Sequence, residues 1–585
     1  MVWQTKYRAD GEANIEDTWH RVASAVASVE KDATYWVRRF YSLLENFRFL
    51  PGGRILAGAG THKQVTLFNC FAMGLIEDSL DGIFESLKEG ALTMQHGGGV
   101  GYDFSTLRPR GTPARSVGGV ASGPVSFMHI WDVTCAILLS TGSRRGAMMA
   151  TLRCDHPDVE EFIEAKRNPN VLRNFNLSVK VTDDFLAAVE RDEEWLLVFP
   201  QAALADEVGN GSVLREWPGY HGPVPCKILK RLRARDLWRQ LMRATYDVAE
   251  PGVLFIDRIN HLNNLYYCEK IHTTNPCSEI PLPPYGACNL GSINLVQFIC
   301  DPFTPQARLD LQAIETLVPV AVRFLDNVID LSRFPLSRQK LQARHTRRIG
   351  LGLTGLADVL IMLGLHYDSD AARELAGKIM AVICHTAYRA SVALAREKGA
   401  FPAFEAGRYL DGAFIARLPD EIRNAIAKHG LRNSHLTAIA PTGSISLLAG
   451  NVSSGLEPVF SFRYLRRIQL AGNECRMVEV EDAAYRLWRQ NNPGKPPPPT
   501  FVTTTELSPD AHLTMQAVLQ RHVDNAISKT IHIPENYPFE DFQNVYLRAH
   551  QLGLKGCTTY RPSPVRGSVI MTPDRHCCDI DREGD

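Results

Sequence analysis

Helical segments alternate with short, continuously apolar runs along most of this 585-residue chain, and no other feature narrows the possible folds as much. Helical periodicity covers residues 16–47, 80–94, 124–139, 158–166, 235–249, 309–331 and 371–397. Among them stand the runs "VTLFNCFAMGLI", "LRNFNLSVKV", "EWLLVFP" and "LTAIAP". Strands apolar throughout are buried on both faces, and strands that alternate with helices run parallel, so the pattern predicts an α/β body on a largely parallel, buried sheet. In "NNPGKPPPPTF" (491–501) the prolines can neither continue a helix nor donate to a ladder, which predicts an extended surface connection. The chain divides on this reading into an N-terminal helical region (1–50), a main body (51–560) and a polar, unpatterned tail (561–585) expected to be flexible.

Composition closes off several functions. Lys+Arg and Asp+Glu stand at 64 each, so no global field draws the chain to nucleic acid or to an anionic membrane. No apolar run reaches the roughly 18 residues of a membrane span, and the start lacks the features of a signal or transit peptide, so a cytoplasmic protein is expected. Thirteen cysteines without a framework fit a reducing compartment. With no Cys-x-x-Cys and no His-Glu-x-x-His, no protein-bound metal is expected.

The stretch "NPCSEIPLPPYGACNLGSINL" (275–295) carries the densest chemistry. Prolines at 276, 281, 283 and 284 exclude a helix and favour extended geometry, in which Asn275, Cys277 and Glu279 share a face. An amide, a thiol and a carboxylate then converge. Taken alone, the pattern more often describes a proline-rich loop with a buried thiol beside a solvated carboxylate. Elsewhere, "PTGSIS" (441–446) follows an apolar run as a turn whose backbone N–H groups suit an anion, and "GGGVG" (97–101) permits close backbone approach.

Together with "DSLDGIFESLKEGALTMQHGGGVGYDFSTLRPRG", "GSRRGAMMATLRCDHPDVEEFIEAKR", "RRIGLGLTGLADVL", "APTGSISLLAGNVSSGLEPVF" and "KGCTTYRP", this stretch closely resembles ribonucleotide reductases, and the likeness spans nearly all of residues 50–565. The resemblance implies a ten-stranded α/β barrel (51–560) with a central finger loop carrying the radical cysteine. By position, Cys277 matches the thiyl radical that abstracts the ribose 3′-hydrogen, Glu279 the base for the 3′-hydroxyl, and Asn275 a hydrogen-bond partner of the substrate hydroxyls. Cys70 and Cys288 match the dithiol that supplies electrons, which requires their α-carbons to lie within about 7 Å. Asn69, Gly98 and Gly99 match substrate contacts, and Pro441, Thr442, Gly443, Ser444 and Ile445 the holder of the substrate diphosphate. Ser278 departs from the family's usual glycine, and Asn69 from its frequent serine.

The resemblance further implies a deoxynucleoside triphosphate effector at a homodimer interface, with Asp78 at its sugar and Arg108, Arg115 and Arg145 at its phosphates or relaying its identity. No stretch long enough for an activity-regulating cone precedes the body, so no ATP/dATP switch is expected. Members fed by a diiron subunit carry adjacent tyrosines where "LKGCTTYRP" has Thr558 and Thr559, and the glycyl-radical segment is also missing. Resemblance and elimination together leave adenosylcobalamin as the cofactor. None of the 18 histidines stands in Asp-x-His-x-x-Gly, so none is expected to displace the cofactor's lower base. Vicinal Cys577 and Cys578 read either as a shuttle dithiol, itself reduced by a thioredoxin-type protein, or as a nonfunctional end. The expected activity is adenosylcobalamin-dependent reduction of ribonucleoside diphosphates; the alternative is a catalytically idle nucleotide-binding barrel with a regulatory or assembly role.

Overall fold

The computed structural model describes residues 2–113, 119–138, 147–168, 170–204, 208–469, 475–562, 570–571 and 576–577. Two helices, Ile15–Ala27 and Ala33–Leu44, open the chain. The first is started by a capping box: Asn14 Oδ1 accepts from Asp17 N at 3.0 Å, and the Asp17 carboxylate accepts from Asn14 N at 3.3 Å. The second packs on the long helix Leu311–Leu331, where the Phe40 ring stands edge-on to Phe324 at 5.3 Å. The turn between the two helices contributes Glu30, whose carboxylate accepts from Arg323 (2.9 Å), Asn327 (2.9 Å) and Lys398 (2.7 Å). Burial alone would raise the Glu30 carboxyl, yet the hydrogen bonds from Lys398 and Asn327 and the charges of Lys398 and Arg323 hold it below its ordinary value.

The body is built on a ten-stranded mixed sheet. In chain order its strands are β1 (Phe49–Pro51), β2 (Cys70–Ala72), β3 (Gly99–Asp103), β4 (Met148–Arg153), β5 (Phe175–Val181), β6 (Gly252–Phe255), β7 (Ala287–Asn294), β8 (Ile349–Thr354), β9 (Thr530–His532) and β10 (Gly556–Tyr560). Strands β2 to β6 form a continuous parallel run, with helices such as Leu80–Gln95, Pro124–Ile137 and Ala234–Val248 in its crossovers. β7 and β8 are also parallel to each other, as are β9 and β10. The parallel groups meet antiparallel at two places, β2 against β7 and β6 against β10. β7 and β8 are buried at every position, as expected of strands covered on both faces.

Two of the apolar runs behave otherwise. "EWLLVFP" becomes Glu194–Pro200 of a separate three-stranded antiparallel sheet with Ser212–Glu216 and Pro223–Arg233. "LTAIAP" forms only isolated parallel bridges, Leu351 with Thr437 and Ile439 with Ile527. Its ladder is interrupted because the buried Asp524 carboxylate takes the amides of Leu436 and Thr437, each at 2.8 Å, in place of a neighbouring strand. No helix among the described residues is long and apolar enough to cross a membrane.

The Glu30 cluster should make the helical region depend on a charge. Glu30→Gln should cost about 2–3 kcal/mol in denaturant unfolding, the scale of hydrogen bonds to charged groups. Because the folded carboxyl titrates below its unfolded value, its contribution is present above the unfolded pKa and lost as pH falls through the folded one. The variant should therefore show a shallower loss of stability in acid.

Candidate active site

Cys277 sits at the tip of a short hairpin. Thr273–Thr274 pairs antiparallel with Pro281–Leu282, and Ser278 N donates to Asn275 O at 3.1 Å, closing a turn with Pro276 and Cys277 at its corners. The extended stretch expected from the prolines is thus replaced by a turn. Asn275, Cys277 and Glu279 do converge, but through chain reversal and not through strand alternation. Ser278 takes φ +66°, the left-handed region where glycine is at ease, so this residue, which stands where the family pattern has glycine, holds a glycine-like conformation. The hairpin lies hard against β3. A Cβ at Gly101 would fall 1.8 Å from the Thr274 carbonyl oxygen, so only glycine allows that approach. Asn176 on β5 also donates to Pro276 O at 2.9 Å.

Around the tip the side chains are close. Asn275 Nδ2 donates to Cys70 Sγ at 3.2 Å, and the Cys70 thiol lies 3.8 Å from Glu279 Oε1. Asn275 is fixed in turn by Ile280 N, which donates to its Oδ1 at 2.9 Å. In the antiparallel pairing of β2 and β7, Cys70 and Cys288 are direct partners, both buried and both reduced. Facing residues in such a ladder have α-carbons about 4.5–5.5 Å apart, inside the range that a disulfide spans. Burial pushes the Cys288 thiol well above its ordinary pKa; the Glu279 charge adds to this and Arg348 opposes it.

Two cavities adjoin the hairpin, and Cys277 belongs to the walls of both. The smaller is lined by Asn69, Cys70, Gly99, Asn275, Glu279, Pro441, Thr442 and Ile445. The larger takes in Ser278, Gly443, Gln516, Gln520, Lys555 and Thr558. Gly98 lies outside both walls and faces the Phe71 ring. Thr442, at φ +54°, turns the chain into the helix Gly443–Leu448, and its hydroxyl meets those of Ser446 (2.6 Å) and Thr354 (3.0 Å). Ser444 is nearly buried and hydrogen-bonds Lys6.

Comparison with known families shows where the chain belongs. Residues 68–560 match the ribonucleotide reductase barrel domain, and residues 1–64 match the ribonucleotide reductase all-alpha domain. The chain belongs to the ribonucleotide reductase family. Among curated relatives of this reductase, a vitamin B12-dependent ribonucleoside-diphosphate reductase of Mycobacterium tuberculosis is 39% identical over 576 residues, covering 94% of this chain and 76% of the relative. The same description is carried by a Thermoplasma acidophilum protein, 38% identical over 571 residues, with 94% of this chain and 68% of the relative covered. A ribonucleoside-diphosphate reductase subunit alpha of Chlamydia muridarum is 28% identical, with 97% of this chain and 58% of the relative covered.

Asp78 and Arg108 lie outside both cavity walls. Asp78 and Arg108 pair with each other: Arg108 Nε donates to Asp78 Oδ2 at 2.7 Å and Arg108 N to Oδ1 at 3.2 Å. Arg115, Arg145 and Cys578 fall outside the described residues, and for Cys577 only its place in the two-residue strand His576–Cys577 is described. Sequence reasoning missed Asp524, which breaks the ladder at "LTAIAP", and Lys555, whose ammonium donates to Asp524 O at 2.6 Å and which burial pushes down to about 7. A single lysine beside a Gly-Cys gives no sign of being buried.

Ser278 supplies a test of the tip. Ser278→Gly should shift stability by under about 1 kcal/mol, since relief of left-handed strain is offset by glycine's larger unfolded entropy. Ser278→Val should cost about 1–2 kcal/mol, because a β-branched residue fits that conformation poorly. Thermal unfolding of both variants measures this.

Proposed function

We propose that this ribonucleotide reductase converts ribonucleoside diphosphates to 2′-deoxyribonucleoside diphosphates by thiyl-radical chemistry, with adenosylcobalamin as its radical source. The observation that carries the reading is Cys277 in the shared wall of two cavities, one backed by the opposed Cys70 and Cys288. We read the sheet as a closed ten-stranded barrel around the hairpin as its finger loop. In support, the bridges from β8 through Thr437 and Ile439 lead to Ile527, just before β9, and β9 returns through β10 to β6.

With a ribose in the smaller cavity, the Cys277 thiyl takes the 3′-hydrogen and Glu279 accepts the 3′-hydroxyl proton. The 2′-hydroxyl leaves as water when Cys70 and Cys288 give up two hydrogens and become a disulfide, and Cys277 returns its hydrogen to C3′. Substrate and dithiol thus become deoxynucleotide, disulfide and water. Burial favours this role for Cys288, since a thiol kept protonated holds the hydrogen it must deliver. Asn275 orients the Cys70 sulfur through its 3.2 Å contact, and Asn69 and the segment 441–445 hold the nucleotide and its diphosphate.

The larger cavity suits the cofactor. The Gln516 and Gln520 side-chain oxygens are buried without a hydrogen-bond partner among the described residues, and they line a wall that amide donors such as those on a corrin rim would satisfy. Bound there, adenosylcobalamin supplies through homolysis of its cobalt–carbon bond the radical that oxidises Cys277. Thr558 and Thr559 stand in that wall.

A homodimer is supported by apolar side chains exposed on two helices, Leu80 (64%) and Phe84 (50%) on one, Val133 (59%) and Ile137 (74%) on the other. Asp78 at the head of the first helix, with Arg108, Arg115 and Arg145, is read as the effector site there. Cys577 and Cys578 are read as the dithiol that re-reduces Cys70 and Cys288 and is recharged by a thioredoxin-type protein. A chemistry that consumes thiols supports a setting in the reducing cytoplasm.

Purified protein given CDP, dithiothreitol and adenosylcobalamin should form dCDP, and Cys277→Ser should reduce turnover to background; absence of dCDP from the unaltered protein overturns the reading. After a single turnover without reductant, peptide mapping should find Cys70 joined to Cys288, and any other pairing removes their assignment. Asp78→Ala should lose the response of substrate choice to deoxynucleoside triphosphates while unstimulated turnover persists; an unchanged response removes the effector site.

A further inference from the structure

We propose that Lys6 is a phosphate-binding residue of the substrate site, lent to it by the N-terminal segment. The inference rests on the reading of residues 441–445 as the diphosphate holder. That segment and the helix after it, "PTGSISLL" (441–448), offer hydroxyls and backbone N–H groups but contain no lysine or arginine. Two bound phosphates carry more negative charge than neutral dipoles usually meet alone.

The Lys6 ammonium donates to the Ser444 hydroxyl, although the two residues lie 438 positions apart. Its backbone is held on several sides. Trp3 Nε1 donates to Thr18 Oγ1 at 2.8 Å, Arg21 Nη2 donates to Tyr7 O at 3.3 Å, and the buried Tyr7 packs in a cluster with Ile445 and Ala449. The turn Trp3–Tyr7 therefore docks on the helix Gly443–Leu448 itself, and the lysine reaches that helix's second residue. Ser444 is 5% exposed whereas Lys6 is an exposed residue, so the ammonium reaches the segment from its solvent side, next to Gly443 and Ile445 of the cavity walls. A compact ammonium with three donors suits phosphate oxygens there.

Equilibrium binding of CDP to the full chain, measured calorimetrically without cofactor, tests this. Lys6→Met keeps the apolar stem and removes the charge; it should raise Kd about tenfold and flatten its dependence on salt, and Lys6→Arg should recover most of the loss. The melting temperature should not move. Unchanged CDP affinity in Lys6→Met overturns the inference, as does weakened binding that comes with a lowered melting temperature and no change in salt dependence. Ser444→Ala, measured in parallel, separates the two readings: if it weakens CDP and Lys6→Met does not, Lys6 alone is wrong, and if neither does, the phosphate reading of 441–445 falls with it.

Discussion

Across β2 and β7 the ladder sets Cys70 opposite Cys288, and the same two-residue pairing is one of the two places where oppositely directed parallel groups of strands meet. Sheet assembly and thiol placement are therefore one event. A dithiol built from loops would have to pay conformational entropy at each oxidation; two residues already facing each other in a ladder need little movement to bond. The pairing also explains why both cysteines are buried: the strands carrying them are covered, and Cys288 sits on a strand buried at every position.

The hairpin depends on a second constraint, the absence of a side chain at Gly101. Backbone meets backbone there, and the contact sets how far the tip reaches. With the Asn275–Ser278 turn and the hydrogen bond from Asn176, it holds Cys277 as a partition between two chambers. Asn275 and Glu279, buried and on the same side as Cys70, give the smaller chamber its polarity.

Much of this was legible in the sequence, because patterns fixed by local physics survive in it. The helices fall within a few residues of their periodic segments, as Asp370–Lys398 does for 371–397. The cysteines, Asn275 and Glu279 could be picked out through the resemblance of their stretch to ribonucleotide reductases, since the residue pattern alone also describes a buried thiol beside a solvated carboxylate. What escaped depended on partners far away in the chain. Nothing in "LTAIAP" reveals that Asp524 takes its amides, and nothing in "EWLLVFP" tells which sheet its strand will join. The extended reading of 275–279 failed because proline fixes φ at 276 but does not decide whether the following residues reverse, and Ser278 gave no glycine signal for the turn. Lys6 was invisible for the same reason of distance.

The order of strands has a consequence for synthesis. Cys277 emerges from the ribosome about midway, yet the edge of β6 stays open until β10, at Gly556–Tyr560, arrives. Pairings of such long sequence separation form late and slowly. An unfinished chain thus carries Cys277 before the strand that pairs with β6 is in place. A sheet whose last strand pairs with its first half is complete only once residues 556–560 have been made.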